Sequence, residues 1–171
     1  TSKVTVRGIV AAAGQNLAAI NYYFGSKANL LEQAHRATVA EVLGDTETLL
    51  EQLPNDPERY VGELFHYYME GSRRYPRLSR SHLHAAFVAD DYSGPFPTQF
   101  APILVRLRDA VMDHVPGISE REASGRVTRA ISAVLFPSLF GELFAPIRSL
   151  DTELGRRDYT RELAAEVMAP A

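Results

Sequence analysis

Signals for helix starts recur along the whole chain, whereas signals for β-hairpins are missing. Side chains suited to a helix N-cap precede helix-like runs at Thr5, Asn16, Ser26, Asp56 and Ser119. Gly14 and Gly25 follow the first two runs, where a left-handed C-cap is expected. No Asn-Gly or Asp-Gly pair joins two alternating apolar runs. The sequence therefore predicts an all-α fold.

The predicted helices cover residues 5–13, 16–23, 26–53, 57–74, 76–89, 97–114, 119–150 and 159–168. The third of them repeats apolar residues with the 3.6-residue period of a helix. It should end at the segment Pro54-Asn-Asp-Pro57, because proline does not continue a helix. This segment is a candidate domain boundary.

Composition excludes several classes of protein. The 171 residues, 46% of them hydrophobic, are enough for a sizeable core. With no cysteine, the chain has neither disulfides nor thiolate metal sites, as is usual in a reducing cytoplasm. No run approaches the ~20 apolar residues of a membrane-spanning helix, and the start does not resemble a signal peptide. We expect a soluble, cytoplasmic protein.

The net charge of −3 hides an uneven distribution. Residues 1–36 contain four basic side chains and one acidic side chain, a net charge of +3, so that the remaining 135 residues carry −6. A basic head on an acidic body is a local electrostatic footprint that suits nucleic acid. Asymmetry of this size is also common in proteins that bind no nucleic acid.

The segment AGQNLAAINYYFGSK, residues 13–27, has the pattern of a helix-turn-helix. Gly14 supplies the turn, and Asn16 caps the second helix. Small and medium-sized side chains at the start of that helix would let it enter a major groove closely. Ile20 and Phe24, four residues apart, would face inward. Two short helices around a glycine are also commonplace in helical bundles, so the residues alone leave both interpretations open.

The stretch TVRGIVAAAGQNLAAINYYFGSKANLLEQA, residues 5–34, closely resembles the helix-turn-helix of the TetR family of transcriptional regulators. Its AAINYYFGSK segment is most similar to CecR-like members. The resemblance implies a DNA-binding domain at residues 1–36 and a helical ligand-binding and dimerisation domain at residues 37–171. It further implies a homodimer on a palindromic operator in double-stranded DNA. The usual mode of the family is repression, relieved by a small-molecule effector.

The resemblance also implies which residues contact DNA. The second helix would place Leu17, Ala18 and Ala19 against base edges. Contacts to phosphates or flanking bases are expected from Thr5, Arg7, Gln15, Asn16, Asn21, Tyr22, Tyr23 and Lys27. The sequence departs from the family where Gln15 replaces a usually apolar residue and Ala28 a usually acidic one. The family's first helix also has no counterpart, so we expect a further N-terminal segment ahead of Thr1.

The acidic body contains candidates for an effector pocket and a dimer interface. Aromatic and flexible apolar side chains on different helices suit an adaptable cavity for a hydrophobic or aromatic compound. They are Phe65, Tyr68, Met69, His84, Phe87, Phe100, Leu104 and Met112. The segment ISAVLFPSLFGELFAPI, residues 131–147, is apolar on nearly every side, so a partner subunit could cover one face. Its interface candidates are Leu135, Phe136, Leu139, Phe140, Leu143 and Phe144. Both sets also suit an ordinary core.

The sequence does not predict catalysis or a cofactor. Glu63, His66 and Glu70 share one helical face, which suits metal ligation or acid–base chemistry, but a solvated face of this composition is far commoner. No nucleophile elbow, phosphate loop or dinucleotide fingerprint is present. The alternative to a DNA-binding regulator is a dimeric helical small-molecule-binding protein without DNA recognition.

Overall fold

The computed structural model describes residues 5–14, 16–145 and 150–171. These residues form nine α-helices and no strand, so the predicted all-α fold is confirmed. The helices are α1 (Val6–Ala13), α2 (Leu17–Phe24), α3 (Lys27–Gln52), α4 (Pro57–Arg74), α5 (Pro76–Ala89), α6 (Pro95–His114), α7 (Glu120–Leu139), α8 (Gly141–Phe144) and α9 (Glu153–Met168). A 3₁₀ turn, Leu53–Asn55, joins α3 to α4. Within the described ranges, no helix is apolar over enough residues to cross a bilayer.

Side-chain caps start the helices where the sequence predicts them. In each case the side-chain oxygen accepts a hydrogen bond from the backbone N–H three residues later, at Thr5, Asn16, Ser26, Asp56 and Ser119. Thr152 caps α9 in the same way, so α9 begins six residues earlier than predicted. Helix α6 begins at Pro95 instead of residue 97, because the missing N–H of proline does no harm in a first turn.

Helix α4 lies at the centre of the body and packs against α3, α7 and α9. Its side chains Val61, Leu64, Phe65 and Met69 are each at most 2% exposed. Burying a side chain of this size stabilises the fold by about 1.5–3 kcal/mol. Helix α9 packs directly over Gly62, where a built Cβ would lie at an ordinary contact distance of 3.5 Å from the Cβ of Ala164.

The prediction of one long helix over residues 119–150 is wrong. Helix α7 ends at Leu139, and the short α8 follows it. Pro137 has no N–H to donate to the carbonyl of Ala133, and the hydroxyl of Tyr159 donates to that carbonyl instead, at 2.9 Å. The guanidinium of Arg80 donates to the carbonyl of Leu139 at 2.8 Å and so satisfies the end of α7. Pro137 is buried, whereas Pro146, the other proline of the apolar segment 131–147, lies outside the described residues.

Candidate nucleic-acid interface and cavity

Helices α1 and α2 meet at a turn that needs glycine. Gly14 has φ +62°, and its N–H donates to carbonyls at the end of α1. This left-handed conformation costs an L-residue roughly 1–2 kcal/mol. Asn16 starts α2, and its Oδ1 accepts the N–H of Ala19 at 2.8 Å. The predicted helix-turn-helix is therefore present.

Helix α2 has an inner and an outer face. Ile20 is 5% exposed and faces inward, with Ala19 half-buried beside it. Ala18 and Asn21 are exposed, and Tyr22 is 83% exposed. Because residues three and four apart are neighbours on a helix, these three form one outward row. The outward row presents a methyl group, an amide and a phenol, which suit base edges and phosphates.

The end of α2 and the start of α3 form one braced corner. The ring of Tyr23 packs edge-on against Tyr22, with centroids 5.0 Å apart, and remains largely exposed. The Asn29 side chain donates to the carbonyl of Phe24 at 2.8 Å, which holds the start of α3 against the end of α2. Lys27 lies half-buried in the first turn of α3. The free N–H groups of a helix start and a lysine charge together favour an anion.

The remaining predicted DNA contacts lie around α1 and the turn. Thr5 and Arg7 are exposed at the start of α1, and Thr5 Oγ1 accepts the N–H of Gly8 at 3.1 Å. The amide nitrogen of Asn16 can donate outward, because the cap uses only its oxygen. Gln15 and the side chain of Leu17 lie outside the described residues.

A cavity of about 450 Å³ opens among α3, α4, α5, α6 and α7, and its wall is mostly apolar. Helix α3 contributes one face to it, made of Thr38, Val39, Glu41, Val42 and Asp45. The same helix begins with Lys27 and continues without a break to Gln52. One helix therefore connects the corner beside α2 to the wall of the cavity.

Four aromatic rings form a continuous row along this cavity. His82 stacks on Phe96 with centroids 5.9 Å apart, and Phe96 stacks on Phe100 at 4.9 Å. Tyr68 meets Phe100 edge-on at 5.5 Å. Burial lowers the pKa of His82, with a smaller contribution from the nearby His35, and burial raises the pKa of Tyr68 to about 12. Both rings are therefore neutral near pH 7.

Two of the predicted pocket residues, Tyr68 and Phe100, line this cavity. Phe65 is fully buried in the core, and Leu104 packs against the core. Met69, also in the core, borders a separate cavity of about 250 Å³. The others lie at the protein surface: His84, Phe87 and Met112. Sequence reasoning selected suitable residue types but not the side of each helix, because helix packing decides which side faces a cavity.

The predicted dimer-interface residues divide into two groups. Leu135 and Leu139 line the cavity of their own helical bundle. The other four form a cluster in which all but the half-buried Phe144 are exposed, and which we call the α7–α8 apolar patch: Phe136, Phe140, Leu143 and Phe144. Within the patch, the rings of Phe140 and Phe144 lie 4.8 and 5.7 Å from that of Phe136. Contiguous exposed apolar side chains are typical of an interaction surface.

The sequence placed Glu63, His66 and Glu70 on one helical face, and both of these glutamates lie beside arginines of α9. Glu70 forms an ion pair with Arg156, and Glu63 lies 3.9 Å from Arg157. His66 is 8% exposed, its Nδ1 has no hydrogen-bond partner among the described residues, and burial lowers its pKa. Across the described ranges, no three histidine or acidic side chains are grouped to hold a metal ion.

Sequence reasoning missed several residues that shape the cavity. Tyr67 donates from its hydroxyl to Asp45 Oδ2 at 2.6 Å, which ties α4 to α3. His82 and Phe96 complete the row of rings. A partial signal was present, because Thr38, Glu41 and Asp45 follow helical spacing on α3, but the partners of that face lie on helices distant in sequence.

Residues 1–34 match the model of the family described as bacterial regulatory proteins, tetR family. The match covers α1, α2 and the first two turns of α3, which is about a fifth of the chain. Neither the curated proteins nor the solved structures gave a significant match. The match thus supports a DNA-binding regulator through the helix-turn-helix alone.

Proposed function

We propose that this protein is a transcriptional regulator that binds double-stranded DNA with α2 and responds to a small molecule in its cavity. The observation that carries the proposal is the helix-turn-helix of α1 and α2, which lies in the segment similar to TetR-family regulators. Helix α2 turns Ala18, Asn21 and Tyr22 outward and keeps Ile20 inside. In this proposal α2 is a recognition helix of the CecR-like type, and its outward row lies against base edges.

Phosphate contacts surround this row. Lys27, Asn16 and Arg7 lie at helix starts or close to them, where free backbone N–H groups reinforce an anion contact. Such contacts fix the orientation of a protein on DNA, while the outward row reads sequence.

The regulator acts as a homodimer, with the α7–α8 apolar patch in the interface. One DNA-binding module buries only roughly 600–1,000 Å², and a second half-site adds both affinity and specificity. A two-fold symmetric protein recognises a palindrome with one recognition helix on each half. We expect the protein to be a repressor, the usual mode of the family that it resembles.

Effector release follows from the position of α3. A hydrophobic or aromatic effector in the cavity would contact Val39 and Val42, while the first turn of the same helix braces α2. A shift of α3 then moves the two recognition helices out of register. To lower operator affinity a hundredfold, the effector must favour the non-binding arrangement by about 2.7 kcal/mol.

Selection from a random duplex library at near-physiological salt tests DNA recognition. Enrichment of a palindrome with a fixed half-site spacing is the expected result, and Ala18→Ser should change which sequences are enriched. If the folded protein enriches no sequence, DNA recognition is contradicted. The cavity would then favour the alternative of a small-molecule-binding protein.

Sedimentation of a patch variant tests the dimer. Phe140→Glu places a charge in the α7–α8 apolar patch, and we expect it to shift the protein from dimer to monomer. Phe87→Glu is the matched control, because Phe87 is exposed on α5 outside that patch. Equal behaviour of the two variants would contradict an interface at this patch.

A further inference from the structure

A stack of aromatic rings lines one side of the cavity. Phe96 and Phe100 stack with an interplanar angle of 16°, and His82 continues the stack at 26° to Phe96. A volume of about 450 Å³ suits a ligand of a few fused rings. A planar aromatic ligand would gain aromatic contacts with these rings, edge-to-face or offset, in addition to the burial of its own surface.

Two carboxylates also belong to the lining and are exposed to solvent. Glu41 and Asp45 are four residues apart on α3, both exposed and both lining the cavity. Asp45 Oδ2 accepts a hydrogen bond from the hydroxyl of Tyr67. The pKa of Tyr67 is raised, mainly by burial and then by the neighbouring Asp45 and Glu41. The phenol therefore stays neutral and adds no charge of its own.

The other charged side chains in the lining leave its net charge negative. Glu70 is neutralised by its ion pair with Arg156. Arg74 places its guanidinium 5.5 Å from the centroid of the Tyr75 ring. The charges of Glu41 and Asp45 exceed the charge of Arg74 by one unit, so the lining carries a net negative charge.

We propose that the cavity binds a planar aromatic cation, with its rings against Phe96 and Phe100 and its positive group beside Glu41 and Asp45. This inference rests on the proposed function for its role as the effector, but the binding chemistry stands on the cavity alone. The carboxylates of Glu41 and Asp45 attract the positive group, and the aromatic rings supply an apolar surface for the rest of the ligand.

Three acridines of matched shape provide the test. At pH 7.5, 9-aminoacridine is a cation, acridine is neutral and acridine-9-carboxylate is an anion. We expect calorimetric titration of the protein, without DNA, to give affinities in that order, with about tenfold between the cation and the neutral compound. Equal affinities, a preference for the anion, or no binding of any acridine to folded protein would overturn the proposal.

Charge variants locate the positive group. Glu41→Gln and Asp45→Asn should each weaken 9-aminoacridine binding by about fivefold and leave acridine binding nearly unchanged. Glu51→Gln is the matched control, because Glu51 lies exposed on the same helix away from the cavity. Arg74→Gln should strengthen binding of the cation. An equal loss for cation and neutral ring in the carboxylate variants would overturn the assignment.

The two proposals can fail separately. The acridine titrations contain no DNA, and the library selection contains no ligand. Binding of 9-aminoacridine without selection of any DNA sequence would contradict the regulator and support the cation site. If the protein selects a palindrome but binds the three acridines with equal affinity, only the cation site is contradicted.

Discussion

The hydroxyl of Tyr159 supplies a hydrogen bond that Pro137 removes from α7. The carbonyl of Ala133 lies one helical turn before the proline and accepts from Tyr159 at 2.9 Å. A carbonyl left without a partner away from water costs about 1–3 kcal/mol. One side chain on α9 therefore makes a proline acceptable within α7.

We predict that Tyr159→Phe lowers the free energy of unfolding by about 1–2 kcal/mol, because it removes this donor and little apolar contact. Urea denaturation measures the change. Tyr60→Phe is the control, since Tyr60 is also half-buried and its hydroxyl has no hydrogen bond within the described ranges. Equal losses in the two variants would contradict a specific role for the Tyr159 hydroxyl.

Lys27 carries the residue-scale prediction for DNA binding. Lys27→Gln should weaken binding to all sequences alike and reduce the slope of log affinity against log salt by about one unit. Titrations of a selected duplex at several salt concentrations measure the slope. Arg161→Gln removes the same charge from α9, far from the helix-turn-helix in the sequence, and should leave the slope unchanged. A wild-type slope in Lys27→Gln would argue against a phosphate contact.

At the scale of elements, α3 is the connection between the helix-turn-helix and the body. Its first turn is braced by Asn29, and its middle lines the cavity. Helix α3 continues through Gly44 without a break. A Cβ built at Gly44 would meet no atom within 4 Å, so no neighbouring residue requires glycine there. The glycine adds only backbone freedom to this helix.

Gly44→Ala should raise the free energy of unfolding by about 0.5–1 kcal/mol, because alanine is the better helix former. Thermal or urea unfolding measures this gain. Gly117 also has open space around its Cβ position but has φ +80°, so Gly117→Ala should lower stability. Stabilisation by both substitutions would show that backbone conformation does not control the effect.

At the scale of the whole molecule, the buried His66 and the half-buried His82 make stability depend on pH. His66 on α4 and His82 on α5 both have a pKa below the ordinary value of 6.5, with burial as the main cause. His35 also lies against His82, with ring centroids 4.9 Å apart. The packed body therefore favours neutral imidazoles.

We predict that the protein loses stability as the pH falls below about 6.5. The unfolded chain binds protons at its histidines in that range, whereas the folded chain resists protonation, so acid favours unfolding. His82→Gln should reduce the loss measured by urea unfolding between pH 7.5 and 5.5. His84→Gln, on the exposed side of the same helix, is the control. An unchanged pH dependence in His82→Gln would contradict the burial effect.

The sequence by itself determined the features that depend on neighbours within one helical turn. The caps at Thr5, Asn16 and Ser26 and the turn at Gly14 bond to residues only three or four positions away. The inward position of Ile20 also follows from helical spacing. The all-α fold and the helix-turn-helix could therefore be predicted.

Only the tertiary structure decided the features that depend on partners distant in the chain. Helix α7 accepts Pro137 because Tyr159 of α9 bonds the carbonyl of Ala133, and Arg80 of α5 bonds the carbonyl of Leu139 at its end. Tyr68 and Phe100, 32 positions apart in the sequence, meet in the wall of the cavity. Periodicity shows that a helix has an apolar side, but the packing of several helices decides whether that side meets a core, a cavity or solvent.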